Sequence, residues 1–291
     1  MYTKQALQEL GVTPATLTDA QKRQLDEEGF FTVENVLSET DLELMRAEFE
    51  RMHGEEREQG GHEVHVEPGA RRVSNIFNKT AEFDKCLEVP EILAAAAYLL
   101  GEIKVHGANL RDPVQGYGQQ DLHVDVPKRF ADDWWVVNAM VMLDPMTLEN
   151  GPTRVVPGSH KWAPINVPYV NQGDWEPAPL SEGDQARVPA DLGAPYPGEV
   201  LVTAPAGSAI ICNSSMWHSG TRKDADTPRR MLHLTYTRRD LPQQLVQLDH
   251  LTREFYDRMS PVHRWLLEIE PPREGEGVLR HPKRESRGWW N

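Results

Sequence analysis

The chain has 291 residues, of which 39% are hydrophobic and 26% charged, and its formal net charge is −14 at pH 7. This length is enough for a large hydrophobic core. A strongly negative charge repels phosphate backbones and anionic lipid headgroups, so we expect neither nucleic acid nor a membrane as a partner. The sequence does not indicate an oligomeric state.

The N-terminal part, about residues 1–101, has the pattern of helices. Thr18 and Gln21 have the spacing of a capping box, and Ser38 is a good N-cap for a helix with hydrophobic residues at helical spacing. Residues 54–70 are charged and contain glycine, which predicts a loop. Residues 90–100 predict a further helix that ends at Gly101.

Beyond Gly101, short apolar runs alternate with Gly, Pro and Asn. Candidate strands cover 103–110, 120–126, 134–143, 153–156, 199–203, 208–212 and 230–237. Many short strands with turn signals favour a sandwich or barrel of the jelly-roll kind. We expect a single domain over 1–291, with the β core at about 102–240 and a C-terminal helix and tail at 241–291. The proline-rich residues 161–197 form a long loop, which we interpret as a candidate lid.

The two cysteines, Cys86 and Cys212, form neither a disulfide framework nor a metal-binding pattern, so we expect reduced, buried thiols. The N-terminal MYTKQALQEL lacks the apolar core of a signal peptide, and the longest apolar run, 92–100, is too short to cross a bilayer. These features predict a cytoplasmic protein.

The most informative motif is a histidine and an aspartate two residues apart, His123 and Asp125. Similar His-x-acid patterns occur at 53–55 and 65–67. The first is at helical spacing, where residues i and i+2 do not share a face, and the second lies in a polar loop. In a strand, residues two apart point to the same face. We therefore expect 123–125, and not the other two patterns, to bind a metal.

A third ligand must come from elsewhere in the chain, and His218 is the best candidate because it follows an apolar strand and precedes a turn. His233 lies within a strand and is more typical of a hydrogen-bonded core residue, and His160 lies in a structural turn. Two imidazoles and one carboxylate form the facial triad that leaves iron(II) open positions. Arg229 could add a fixed positive charge for a dicarboxylate. This combination suggests an oxygenase that uses 2-oxoglutarate.

At these residues the sequence resembles the phytanoyl-CoA dioxygenase family of iron(II)/2-oxoglutarate oxygenases. The resemblance runs from about residue 20 to about residue 240. The segments that carry it are the pair at 123–125, the string ENGPTRVVPGSH at 149–160, the block from 218 to 229, and EGFFTVENVL at 28–37.

The resemblance implies a fold that is mainly β with flanking α-helices: a double-stranded β-helix, or cupin-like jelly roll. It implies that iron(II) is bound by His123, Asp125 and His218, that 2-oxoglutarate and O2 are the cosubstrates, and that a small molecule is oxidised. It also implies that Arg229 pairs with the distal carboxylate of 2-oxoglutarate, a task suited to its planar fork. Because Asp125 is present, hydroxylation or a related oxidation is favoured over halogenation.

Further contacts to the cosubstrate follow from the same resemblance. Gln120 and Thr153 occupy positions that touch it in relatives, whereas a position that is often serine is Gly220 here. Ser219 or Thr221 would then substitute. Candidate substrate contacts at the mouth of the site are Asn75, Asn78 and Trp134.

Two other functions are compatible with the same ligands. One is a metal-dependent hydrolase or isomerase on a cupin-like barrel, which would use the metal to polarise water. The other is a non-catalytic relative that binds a ligand. A hydrolase has no need of the charge of Arg229, and a binding module has no need of two histidines and an aspartate together.

Overall fold

The computed structural model describes residues 1–167 and 181–269, and part of the candidate lid and the C-terminal tail lie outside these ranges. The helices are α1 Thr3–Glu9, α2 Asp19–Glu27, α3 Glu39–Glu56, α4 Ile76–Lys79, α5 Pro90–Leu100, α6 Glu182–Gln185, α7 Arg253–Arg258 and α8 Pro261–Leu267. The strands are β1 Phe30–Val33, β2 Ala70–Val73, β3 Ile103–Pro113, β4 Val136–Met142, β5 Thr153–Val155, β6 Val200–Val202, β7 Ala209–Asn213, β8 His218–Gly220 and β9 Met231–Arg238.

These strands form two antiparallel sheets. The larger sheet has the order β1-β7-β4-β9-β3-β2, and the smaller has the order β6-β5-β8. Apart from β2 and β3, neighbours in the large sheet are not consecutive in the sequence, as in a jelly roll, where strands adjacent in space are joined by long connections. The prediction of a mainly β fold with flanking helices is confirmed.

Strand alternation divides the large sheet into two different faces. On β4, Val137, Ala139 and Val141 pack into the main hydrophobic core, which also contains residues of α3, α5 and α8. The residues between them, among them Asn138 and Met140, face the smaller sheet and line a cavity. The helices therefore cover one face of the sheet and leave the other face for the site.

Local signals in the first hundred residues correctly predicted the start of α2, the start of α3 and both ends of α5, whereas α1 and α4 were not predicted. The Thr18 hydroxyl accepts a hydrogen bond from the backbone of Gln21, and Ser38 caps α3 in the same way through Asp41. Helix α5 covers Pro90–Leu100 as predicted and stops at Gly101, whose φ of 77° favours glycine. Both Cys86 and Cys212 are free and buried.

Three strands, β1, β2 and β8, were not predicted. Strand β2 reads Ala-Arg-Arg-Val, and its two charged residues conceal a strand that is paired with β3. Conversely, the strand predicted over 120–126 is wrong, because within it only His123 forms a β-bridge. No helix among the described residues combines the length and the apolar character needed to cross a bilayer.

Ile211→Ala tests the position of the core. Ile211 is fully buried on β7, where it lies opposite Phe31 of β1 and Ala139 of β4. We expect this substitution to lower the free energy of unfolding by about 2–5 kcal/mol, because it removes buried methyl groups and leaves a cavity. The measurement is urea unfolding. The control, Leu201→Ala on the exposed part of β6, should change stability by no more than about 0.5 kcal/mol. Equal losses of unfolding free energy in both variants would contradict the placement of Ile211 in the core.

Candidate active site

The structure brings His123, Asp125 and His218 together, although about ninety residues separate the last from the first two. One ligand atom from each lies within 4.8 Å of the others. The Asp125 Oδ1 atom is 3.9 Å from His123 Nε2 and 3.5 Å from His218 Nε2. This is the two-histidine, one-carboxylate arrangement of a facial triad.

Backbone hydrogen bonds, rather than a regular strand, hold the ligand segment in place. His123 and His218 exchange both backbone bonds of an antiparallel bridge, at 3.0 and 2.9 Å. The neighbouring N–H groups donate to different segments: Leu122 to Leu192, Val124 to Ile165 and Asp125 to Ser214. Each of the residues 122–125 is fixed by its own backbone hydrogen bond, and the side chains of His123 and Asp125 converge.

Both histidines are locked in the tautomer that a metal requires. His123 Nδ1 lies 2.7 Å from the carbonyl oxygen of Asp121, and His218 Nδ1 lies 2.8 Å from that of Met216. A carbonyl oxygen only accepts, so each Nδ1 carries the proton and donates it. Each Nε2 is then left with a lone pair on the side of Asp125, as in metal-binding histidines with an oriented N–H.

The charges of the three groups also suit a divalent cation. Burial, and then the neighbouring His218, lower the pKa of His123 to about 4, so this imidazole is neutral at pH 7. Burial alone would raise the pKa of Asp125, but His218 outweighs it and keeps the carboxyl ionised. Burial alone would lower the pKa of His218, but the charge of Asp125 raises it. A dication at this position would favour the neutral imidazole of His218 and satisfy the carboxylate.

The triad opens into a cavity of about 390 Å³ that lies against the inner face of the large sheet. Gln120 and Thr153, both expected at the cosubstrate, line it. The Oε1 atom of Gln120 accepts from Gly220 N at 2.9 Å, which leaves its amide nitrogen as the end without a partner among the described residues. The Thr153 hydroxyl contacts only the Met140 sulfur within that part of the chain, at 3.6 Å, and thioether sulfur is a weak acceptor.

Arg229 is completely buried, and its guanidinium has no carboxylate partner in the described part of the chain. One nitrogen, Nη1, donates to the carbonyl of Gly151, but Nε and Nη2 have no acceptor among residues 1–167 and 181–269. Burial, and then Arg111, lower its pKa to about 9, so it stays charged at pH 7. Arg229 is not one of the cavity-lining residues, but Thr153, close to its partner Gly151, is. An external carboxylate would satisfy both donors at once.

The neighbouring arginine, Arg230, points away from the site, as strand alternation predicts. Its guanidinium binds the carboxylate of Asp144 through two nitrogens, at 2.7 and 2.9 Å, and also reaches Glu50. Arg230 is therefore a satisfied structural ion pair, and Arg229 is the arginine left for a ligand.

Ser219 and Thr221 do not reach the cavity. Ser219 lies on the opposite face of β8, where its hydroxyl accepts from Arg154 Nε at 2.5 Å, and Thr221 donates to the carbonyl of Pro152 at 2.6 Å. Nor is there room for a side chain at Gly220, since a Cβ there would lie 2.6 Å from the Gly118 oxygen and 3.0 Å from Gln120 Oε1. Here the Gln120 side chain occupies that space.

The residues expected to contact substrate at the mouth are placed elsewhere. Asn75 precedes α4 in the left-handed conformation, and Asn78 accepts from the Thr252 hydroxyl. Trp134 packs against His160 and lies before the start of β4, so the alternation that directs Val136 into the cavity does not extend to it.

Several residues that the sequence did not single out line the cavity instead. They include Arg72, Arg111 and His233 on the large sheet, together with His65 from the loop whose His-x-Glu pattern we did not expect to be functional. The available signal was the alternation of side chains along each strand, which places Asn109 and Arg111 on the same face of β3. Without the register that pairs β3 with β2 and β9, this alternation does not predict which residues that face contacts.

Comparison with known proteins supports the same assignment. The model of the family described as phytanoyl-CoA dioxygenase matches residues 25–231. Dioxygenase af480 of Aspergillus fumigatus is 27% identical over 264 residues, which are 87% of this chain and 77% of that protein. L-proline trans-4-hydroxylase of Streptomyces griseoviridis is 29% identical and is aligned over 77% of this chain and 87% of its own length.

Solved structures share the fold. HygX from Streptomyces hygroscopicus, crystallised with nickel, 2-oxoglutarate and hygromycin B bound, superposes with a TM-score of 0.58 at 18% identity. The match covers 78% of this chain and 90% of HygX. The jelly-roll prediction is thereby confirmed.

Gly220→Ser tests whether this position excludes a side chain. Because the new Cβ would collide with backbone at Gly118, we expect the variant to lose about 1–3 kcal/mol of stability rather than gain a useful hydroxyl. Urea unfolding measures the loss. The control is Gly54→Ala in α3, where a Cβ meets no atom within 4 Å and helix propensity predicts unchanged or higher stability. A Gly220→Ser protein as stable as the parent would show that the close approach of the Gly118 oxygen to this position is wrong.

Proposed function

The chain belongs to the phytanoyl-CoA dioxygenase family and is an iron(II)- and 2-oxoglutarate-dependent oxygenase; we propose that His123, Asp125 and His218 hold its iron and that Arg229 binds the distal carboxylate of 2-oxoglutarate. Gln120 and Thr153 complete the cosubstrate site from the cavity wall. We also propose that the chain works as a single domain.

The observation that carries this assignment is the convergence of one ligand atom from each of His123, Asp125 and His218, together with a buried Arg229 guanidinium that has no carboxylate partner among the described residues. A hydrolase built on the same triad would have no use for this guanidinium, and burying an unpaired charge is expensive. The pairing of triad and arginine therefore favours a reaction that uses a dicarboxylate.

When bound, iron(II) and 2-oxoglutarate supply the oxidising chemistry, in which O2 and the 2-oxo acid yield succinate, CO2 and an oxidised substrate C–H bond. The protein residues bind and orient. The carbonyls of Asp121 and Met216 fix the two imidazoles through their Nδ1–H groups, so that each Nε2 lone pair is available without reorganisation.

The other side chains of the proposed site position the cosubstrate. Arg229 offers Nε and Nη2 as a planar fork that matches a carboxylate in two bonds. Gln120 is clamped to Gly220 through both its backbone and its side chain, which aims the amide nitrogen at a defined place. We propose a small-molecule substrate, as for the L-proline trans-4-hydroxylase, and hydroxylation as the reaction, since the carboxylate ligand Asp125 is present.

Asp125→Ala should abolish metal binding. This variant leaves two neutral imidazoles and removes the charged ligand, so we expect loss of iron(II) binding in an anaerobic titration and loss of succinate formation in air. The weak visible charge-transfer band of the iron–2-oxoglutarate complex is the direct readout.

The matched control is Asp257→Ala, which removes a carboxylate from the exposed face of α7. This variant should keep the band and the activity. A band of normal intensity in Asp125→Ala would show that this carboxylate is not a ligand.

Arg229→Ala should weaken 2-oxoglutarate binding while leaving the metal site intact. Loss of a charge-assisted, two-bond contact of about 1.5–3 kcal/mol predicts a rise of about tenfold or more in the half-saturating concentration of 2-oxoglutarate. Succinate release is measured against 2-oxoglutarate concentration, and iron(II) binding is measured separately.

Arg230→Ala is the control, because the adjacent guanidinium binds Asp144 outside the cavity. It should leave the 2-oxoglutarate requirement within about twofold of the parent value. A parent-like requirement in Arg229→Ala would remove this residue from the cosubstrate site.

A further inference from the structure

Two arginines that the proposed function does not use lie side by side on the cavity wall. Arg72 on β2 and Arg111 on β3 are directly opposite each other in the antiparallel pair, and both line the cavity that contains His123 and Asp125. Only 8% of Arg72 and 5% of Arg111 is exposed. Like charges opposite each other destabilise a strand pair, and burial increases the cost, so this arrangement requires compensating anions.

Glu67 compensates one of the two charges. Its carboxylate accepts from Arg72 Nη1 at 2.7 Å and from Arg111 Nε at 2.9 Å. One carboxylate between two guanidinium groups leaves a net charge of +1. The Nε atom of Arg72 is buried and has no acceptor within residues 1–167 and 181–269. The cluster of Arg72, Glu67 and Arg111 therefore keeps an uncompensated charge and an unused donor.

Neighbouring imidazoles do not alter this balance. Burial, and then the charges of Arg111 and Arg72, lower the pKa of His233 to about 3, and burial followed by Arg72 lowers the pKa of His65 to about 4. Both rings are neutral at pH 7. The acids that line the cavity are Asp125, assigned to the metal, and Asp121, which is exposed. An anion that enters the cavity would supply the missing charge.

The cavity wall also carries unused hydrogen-bond acceptors. Asn109 Nδ2 donates to Gln244 Oε1 at 2.8 Å, and Asn138 Nδ2 lies 3.3 Å from His233 Nδ1. The Oδ1 atoms of Asn109 and Asn138 have no donor among the described residues, although only 4% and 7% of these residues is exposed. Buried acceptors left unpaired cost about 1–3 kcal/mol each, which a ligand with N–H or O–H groups would recover.

We propose that the primary substrate is a small amino or hydroxy acid whose carboxylate pairs with Arg72 and Arg111 and whose N–H or O–H groups bind Asn109 and Asn138. This inference rests on the proposed function and names the substrate class for the same site. The cavity, about 390 Å³, also has to admit 2-oxoglutarate, and it lies near the lower end of the range of about 300–1,000 Å³ for ligand pockets. The part of the substrate inside it is accordingly small.

The test is a panel of α-amino and α-hydroxy acids, each paired with its methyl ester. Two readouts are taken on protein loaded with iron(II) and 2-oxoglutarate: succinate release above the rate without a panel compound, and the anaerobic shift in melting temperature. We expect at least one acid to raise both, and its ester, which lacks the charge, to raise neither.

Variants of the arginine cluster then locate the carboxylate. In Arg72→Gln the half-saturating concentration of the active acid should rise about tenfold or more, because a buried charge-assisted contact is lost. The half-saturating concentration of 2-oxoglutarate should stay within about twofold. Arg72→Lys keeps the charge that Glu67 needs, and so provides a folded variant even where Arg72→Gln is unstable. We expect its half-saturating concentration to lie between those of the parent and Arg72→Gln.

The matched control is Arg71→Gln on the same strand. This substitution removes the same charge as Arg72→Gln. The Arg71 guanidinium, however, binds Glu50 and Asp112 and does not line the cavity. This variant should respond to the acid like the parent.

Each remaining outcome has a definite meaning. Equal responses to acids and esters, or equal effects of Arg71→Gln and Arg72→Gln, would overturn the proposal. So would a rise confined to the 2-oxoglutarate requirement, which would place these arginines at the cosubstrate. Succinate formation that no acid stimulates would refute the proposed substrate class but not the assignment as an oxygenase. Absence of both succinate and 2-oxoglutarate binding would refute the oxygenase itself.

Discussion

The site depends on one short backbone contact, the bridge in which His123 and His218 exchange their N–H···O=C bonds. This bridge joins two remote segments at the residues that carry the imidazoles. It fixes the separation of the two rings, and the Asp125 carboxylate lies within 4 Å of the Nε2 atom of each ring. Carbonyl groups on the same two segments orient both Nδ1–H groups, so the contact determines position, tautomer and ligand direction together.

The second organising feature is an excess of buried positive charge at the proposed site, in a chain whose net charge is negative. Arg229 has two donors without an acceptor in the described part of the chain, and Arg72 and Arg111 share the carboxylate of Glu67. Such groups are costly unless paired, so their burial is best understood through the anions that the site receives. Two cationic positions match two acids, the cosubstrate and the proposed substrate. Net charge would not have revealed this, because the acidic residues lie mainly elsewhere.

Sequence reasoning succeeded where the signal is local. Capping residues and apolar spacing predicted α2, α3 and α5, and apolar runs predicted most of the β core. The pair at 123–125 was identified from strand geometry, yet the segment makes one bridge and no strand. The two side chains nevertheless converge on His218, because separate backbone hydrogen bonds fix each residue of this segment. Family resemblance, rather than spacing, predicted the roles of Gln120 and Thr153.

The rest of the site depends on non-local register. Arg72 belongs to β2, whose charged residues do not have the sequence pattern of a strand. Arg72 lies near Arg111 only because β2 pairs with β3. Glu67 lies in a polar loop whose sequence resembles solvent-exposed chain, although its carboxylate is held between these two guanidinium groups. Likewise, the pleat of β8 directs Ser219 away from the cavity, and the Gly118 oxygen leaves no room for a side chain at Gly220.

The most direct measurement is a crystal structure of the protein grown anaerobically with iron(II) and 2-oxoglutarate. We predict one metal ion bonded to Nε2 of His123, Nε2 of His218 and the carboxylate of Asp125, with the distal carboxylate of 2-oxoglutarate against Arg229. A metal bound without one of these three side chains, or a cosubstrate carboxylate held away from Arg229, would contradict the account.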